Sequence, residues 1–188
     1  MLQPVMSRIA SYYSQNKLLP EQTITHMIYG ITAVLNELSK LIVYGIFFSL
    51  THQLYAYFFI LLILLPLRWD SGGLHCKTYW GCFCCSFLMF MGLIYLPYIF
   101  TPDKSILTFL ILLFSILSLS HVPYAPSFRP ITDPLRICHM RIFYILLVLI
   151  WLIILNYLSM PSLLAYSGLY TLLFQTSQLL IPRKETHV

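Results

Sequence analysis

Charge is what this chain has least of. Only 9% of its 188 residues are Asp, Glu, Lys or Arg, where a soluble domain carries about 25%. Apolar residues make up 59% and the mean hydropathy is +0.81. That scarcity excludes a soluble enzyme, and it leaves the net charge of +5 with no polar domain on which nucleic acid could be bound. No short apolar core with a small-residue cleavage site follows Met1, so no removable leader is read and the N-terminus is expected to stay cytoplasmic. Internal repeats and low-complexity tracts are also missing. The five cysteines are an odd number, and four of them crowd between Cys76 and Cys85, too close together to staple distant segments. A disulfide framework is therefore not expected. A zinc module is poorly supported too, since Cys82 and Cys85 form one CxxC with no second pair.

What remains is an integral membrane protein, all-α, with long apolar runs. A bilayer core of about 30 Å needs about 20 apolar residues per helix. Cutting the chain at its polar breaks gives six spans: Met27 to Leu50, Tyr55 to Leu67, Tyr79 to Phe100, Ser105 to Ser120, Ile142 to Tyr157 and Ser162 to Ile181. The second is short and reads as tilted, extended into Thr51 to Gln53, or re-entrant. Basic residues should then alternate between abundant and rare loops, and they do. Nine of the eleven, among them Arg8, Lys17, Arg68, Lys77, Arg136 and Arg183, fall on one side. Lys104 falls on the other, and Lys40 lies within the first span. Both termini, the loop from Arg68 to Lys77 and the loop from His121 to Arg141 are thus expected in the cytoplasm. The second loop carries four prolines, Pro123, Pro126, Pro130 and Pro134, and is expected to be extended. Before the spans, residues 2–16 place Val5, Met6, Ile9, Tyr12 and Tyr13 on one helical face, the pattern of an amphipathic helix lying in the membrane interface. Glu37 and Lys40, three apart in the first span, read as an ion pair or as functional groups.

The polar residues gather in one stretch, RWDSGGLHCKTYWGCFCC, residues 68–85. A histidine near a cysteine can take the thiol proton and stabilise the thiolate. His75 and Cys82 are seven residues apart, which on a continuous helix would separate them by about 10.5 Å along the axis. Gly72 and Gly73 permit a backbone break that could fold His75 over a new helix starting near Lys77 and carrying Cys82. Two other readings stand beside this one. His75, Cys76, Cys82 and Cys85 make four metal ligands on paper, and cysteine is also tolerated in membrane helices as a small apolar filler. The filler reading suits Cys84, Cys85 and Cys138.

Arg68, Gly73, His75 and Cys82, in the pattern R-x4-G-x-H-x6-C at the cytoplasmic end of a membrane helix, resemble the AgrB family, membrane cysteine endopeptidases that process quorum-sensing propeptides. The amphipathic start, about six hydrophobic segments and a Pro-rich second loop with YAPSFRPI extend the resemblance over most of the chain. It implies a single membrane peptidase domain over residues 1–188, with Cys82 as nucleophile, His75 as general base, and Arg68 and Gly73 supporting the site. It implies no metal and no cofactor. The implied substrate is a small amphipathic propeptide, cleaved through a thioester on Cys82 and cyclised to a thiolactone or lactone, by a homodimer in the bacterial cell membrane among its lipids. Asp70 could orient His75 or serve as a solvated loop carboxylate. The competing class is a non-enzymatic membrane sensor or transport component whose cytoplasmic Cys and His bind metal or respond to oxidation.

Overall fold

The computed structural model describes Tyr12 and residues 20–73, 78–123 and 133–181. Within them lie six α-helices and one 3-10 turn, with no β-strand among the described residues. The interfacial helix expected over residues 2–16 falls outside them apart from Tyr12. Contacts divide the chain into two units, Met1–Leu50 and Thr51–Val188.

The first unit contributes α1 (Glu21–Leu50), of which Gly30–Leu50 is long and apolar enough to cross a membrane. Its ionisable pair closes as an i, i+3 bridge, Lys40 Nζ donating to Glu37 Oε1 at 2.5 Å.

The second unit is built from α2 (Leu54–Ser71), α3 (Tyr79–Ile99), α4 (Lys104–Ser118) with the 3-10 turn Leu119–His121, α5 (Pro134–Tyr157) and α6 (Ser162–Gln178). Three of the starts have a local cause. Thr78 Oγ1 accepts from the Gly81 amide at the head of α3, Asp103 from Ser105 at α4, and Asp133 from Leu135 at α5, each satisfying an amide that the helix leaves unpaired. With α1, three of these segments are long and apolar enough to span: Tyr79–Ile99, Lys104–His121 and Pro134–Tyr157. Leu54–Trp69 is apolar but shorter.

Two expectations need correction. The segment from His121 to Arg141 is not extended throughout, because α5 starts at Pro134 and carries Arg136 and Arg141 on helix. Pro134 occupies the first helical position, where a missing N–H costs nothing, and Asp133 caps it. The polar loop after the second span also begins later than expected. Helix α2 continues past Leu67 through Arg68 to Ser71, accommodating Pro66 on the way.

Helix α6 is the centre of this unit and packs against α2, α3, α4 and α5. Most of its side chains are buried, so it faces protein rather than lipid and needs less hydrophobicity than its neighbours. Ser167, Thr171, Gln175, Thr176 and Gln178 are all buried in it. The surrounding helices turn large apolar side chains outward, among them Phe58 and Leu62 of α2, Phe109 of α4, and Leu149 and Ile153 of α5, as expected where lipid is the solvent. Apolar burial does not drive such helices together; close packing and polar clasps do. Asn156 donates to Thr108 Oγ1 at 3.2 Å, Ser118 Oγ and Tyr144 Oη lie 3.1 Å apart, and Tyr170 donates to the Phe100 carbonyl at 2.7 Å. Each such bond contributes about 0.6–2 kcal/mol.

The alternation of helices sorts the charges. The ends of α2 and α6 and the starts of α3 and α5 share one end of the unit, which collects Arg68, Arg136 and Arg141. Lys104 lies at the other, 5.8 Å from the Tyr166 ring centre.

Candidate active site

Helix α2 stops at Gly72, whose φ of 77° lies in the left-handed region. A side chain there would be strained, so glycine is the natural residue for the stop. The Gly72 amide still closes on the Arg68 carbonyl at 3.0 Å. Gly73 then folds back over the end of its own helix. A β-carbon on it would lie 3.5 Å from Arg68 Nε and 3.8 Å from Gln178 Nε2, in ordinary contact with both side chains. The break anticipated at the two glycines is therefore present.

Arg68 occupies the last turn of α2 and is half-buried. Its Nε lies 3.5 Å from Gln175 Oε1, and its Nη2 lies 3.5 Å from Gln178 Oε1 and 3.6 Å from the Met89 sulfur. Gln175 in turn donates through Nε2 to Ser71 Oγ at 2.8 Å and to the Gly72 carbonyl at 3.1 Å. Gln178 Nε2 donates to Gln175 Oε1. Ser71 Oγ donates back to the Leu67 carbonyl at 2.7 Å. One hydrogen-bonded group thus ties the end of α2 to the end of α6.

Cys82 is the fourth residue of α3, with its amide bonded to the Thr78 carbonyl at 3.0 Å. It is half-buried, while Cys84, Cys85 and Cys138 are exposed. Cys82 and Met89 are seven residues apart, so they share a helix face and stand about 10.5 Å apart along it. Because α2 and α3 are antiparallel neighbours, the chain rises from the level of Met89, where the Arg68 guanidinium sits, toward the level of Cys82 as it runs to Gly72 and Gly73. Arg68, Gly73 and Cys82 therefore belong to one end of the helix pair. His75 and Cys76 lie outside the described residues, as does the Asp70 side chain. Among the described residues no group of three or more His, Cys, Asp or Glu stands together to hold a metal.

Two features of this end were not anticipated. Gln175 and Gln178 had a signal available. With Ser167 and Thr171 they form a polar series at spacings of four, four and three in an otherwise apolar span, and polar groups in a span turn toward protein. The second feature is a mostly apolar groove of about 790 Å³ between the outer faces of α2 and α5, lined by Leu65, Trp69, Met140 and Phe143 with Arg136 and His139 toward the α5 start. Arg141 is committed elsewhere. It donates to the carbonyls of Val122 at 2.9 Å and Ser120 at 3.3 Å, capping the turn after α4.

Comparison with known proteins bears on what this end does. The family model for Accessory gene regulator B, AgrB, matches residues 6–179, nearly the whole chain. The chain belongs to the AgrB family. An AgrB-like protein of Clostridium beijerinckii is 30% identical over 164 residues, covering 85% of this chain and 79% of that protein. No solved structure matches the chain. AgrB membership places the protein in the bacterial membrane and in the processing of a quorum-sensing propeptide, and the four long apolar helices agree with a membrane location.

Proposed function

We propose that this AgrB protein is a cysteine endopeptidase that cleaves its propeptide through a thioester on Cys82 and hands the acyl group to a nucleophile within the same peptide. The observation that carries the reading is the break at Gly72 and Gly73, which ends α2 beside the helix that presents Cys82 half-buried in its first turns. The same stretch supplies His75 two residues after Gly73.

In the first step the Cys82 thiolate attacks a peptide carbonyl carbon, forming a C–S bond as the C–N bond breaks. His75 delivers to the leaving amine the proton it took from the thiol. In the second, a cysteine thiol or serine hydroxyl of the substrate gives its proton to His75 and attacks the thioester carbonyl, the C–S bond breaks with Cys82 leaving as thiolate, and a thiolactone or lactone ring closes. Exchange between thioesters is nearly balanced, so the protein's contribution is to hold the ends close and keep water from the acyl group. A site at the end of a helix bundle, at the level of a membrane interface, suits both. A propeptide lying in that interface is confined to the plane of Cys82. The groove between α2 and α5, with Arg136 near one end, offers favourable charge to an acidic segment. A homodimer and a cytoplasmic location for both termini complete the proposal.

The test is cleavage of the propeptide by membranes carrying single variants. Cys82→Ser and His75→Ala abolish cleavage while the protein still inserts, and Cys76→Ala, Cys84→Ala and Cys85→Ala retain it. Full activity in Cys82→Ser overturns the assignment of Cys82, and absence of cleavage by the wild-type protein favours the non-enzymatic sensor or transport component.

A further inference from the structure

Two glutamine amides buried in an apolar bundle are costly unless they are paired. Three other small polar side chains of α6 satisfy themselves locally. Thr171 donates to the Ser167 carbonyl, Thr176 to Leu173 and Ser177 to Phe174, all within the helix. Gln175 and Gln178 do otherwise. Gln175 reaches across to α2, and there it meets three different parts of one small region: the Arg68 guanidinium, the Ser71 hydroxyl and the Gly72 carbonyl. Gln178 meets the same guanidinium and braces Gln175.

The chemistry of the amide fits this task better than any other side chain of its size. The Gly72 carbonyl, at the end of a helix, needs a donor, and the guanidinium needs an acceptor; an amide presents both at once. A carboxylate in the place of Gln175 would bind Arg68 more strongly but would repel the Gly72 carbonyl. It would also cancel a charge that a neutral amide leaves in place. The bonds from Gln175 to Ser71 Oγ at 2.8 Å and to the Gly72 carbonyl at 3.1 Å hold the end of α2 to α6.

We propose that Gln175 and Gln178 are positioning residues for the cleavage site. They hold the Arg68 guanidinium and the Gly72–Gly73 turn, and through that turn they fix where the chain enters the segment carrying His75. This rests on the reading of His75 and Cys82 as base and nucleophile. Gly73 is two residues from His75, a reach of at most about 7 Å. A displacement of about 1 Å at a catalytic group can cost as much as about 100-fold in rate.

The experiment uses the full chain in proteoliposomes and iodoacetamide as the probe, at one fixed neutral pH, with alkylation of each cysteine read by mass spectrometry. Exposed Cys138 on α5 is the internal standard. If His75 activates Cys82, His75→Ala lowers the Cys82 to Cys138 rate ratio about tenfold or more. Gln175→Leu is expected to lower it to a similar degree. Gln175→Glu, which keeps the acceptor for Arg68 but has no donor for Gly72, is also expected to lower it. Thr171→Val, equally buried but bonded within its own helix, is expected to keep the ratio within about twofold of wild type. The direction separates positioning from support of the fold. A loosened bundle would expose half-buried Cys82 and raise the ratio, and that result overturns the proposal. A wild-type ratio in Gln175→Leu beside a lowered one in His75→Ala also overturns it, as does an equal fall in Thr171→Val. An unchanged ratio in His75→Ala instead overturns the base and nucleophile reading. Should Gln175→Leu fail to accumulate, Gln178→Leu decides: a lowered ratio supports the proposal and a wild-type ratio refutes it.

Discussion

Helix α6 can hold the site only if α2 and α5 approach it closely, and Gly168 is where that approach can be measured. A β-carbon built on Gly168 would lie 2.5 Å from Leu155 Cδ2, 3.0 Å from Leu155 Cδ1 and 3.2 Å from Ile63 Cδ1. Ordinary contact begins near 3.4 Å, so Gly168→Ala must push the Leu155 methyl away by roughly 1 Å and Ile63 by a few tenths. Leu155 is fully buried and has little room to turn. Overpacking of this kind costs about 1–3 kcal/mol. Against it stands the gain of about 1 kcal/mol when alanine replaces glycine inside a helix. The steric cost prevails, and Gly168→Ala is expected to destabilise by about 0–2 kcal/mol, the difference of those two figures. The sharper expectation is a change of sign. Leu155→Ala alone should cost about 2–5 kcal/mol. In that background both Leu155 methyls are gone and only the Ile63 methyl at 3.2 Å remains, so Gly168→Ala should stabilise by up to about 1 kcal/mol. The coupling is then about 1–3 kcal/mol. Unfolding by SDS in mixed micelles, followed by circular dichroism on the four proteins of the cycle, measures it. Equal effects of Gly168→Ala in the two backgrounds would refute the close approach.

The arginines make a second prediction. Arg141→Gln, which loses its bonds to the Val122 and Ser120 carbonyls, should destabilise by about 1–3 kcal/mol in the same SDS unfolding. Arg136→Gln, exposed near the start of α5, should leave stability within about 0.5 kcal/mol of wild type. Arg136→Gln should instead weaken cleavage of a propeptide with an acidic tail, more at low salt than at high salt; a salt-independent effect would speak against the charge argument. Topology is the third. Single cysteines introduced at Arg136 and at exposed Trp69 should react with a membrane-impermeant maleimide only from the cytoplasmic side, and one at Asp103 only from outside. Labelling of the Arg136 position from outside would invert the whole arrangement.

Several elements of this fold were legible from residue types alone. Gly72 and Gly73 mark a break because glycine tolerates a φ near 77°, and the helix of Cys82 starts at Tyr79, close to the start expected near Lys77. The long apolar runs of α3, α4 and α5 announced spanning helices. Prolines misled in one place and cost nothing in another. Pro134 reads as a helix breaker in a row of four prolines, yet at the first helical position it starts α5, and Pro66 sits within α2 without ending it. Arg141 stands in the sequence only as the end of the second loop; the fold brings the Val122 and Ser120 carbonyls to it. Gln175 and Gln178 lie more than 100 residues from Arg68 along the chain. Their polar spacing could show that they face protein, but only the packing of α6 against α2 shows that they face the turn.

The central claim is that Cys82 carries the substrate as a thioester. Wild-type protein in proteoliposomes is mixed with the propeptide, quenched in acid within one turnover and digested, and the adduct is located by mass spectrometry. The account predicts a mass increase equal to the N-terminal cleavage fragment on the peptide containing Cys82, lost on treatment with hydroxylamine and missing from His75→Ala. A hydroxylamine-sensitive adduct on Cys76, Cys84 or Cys85 with Cys82 unmodified would contradict it.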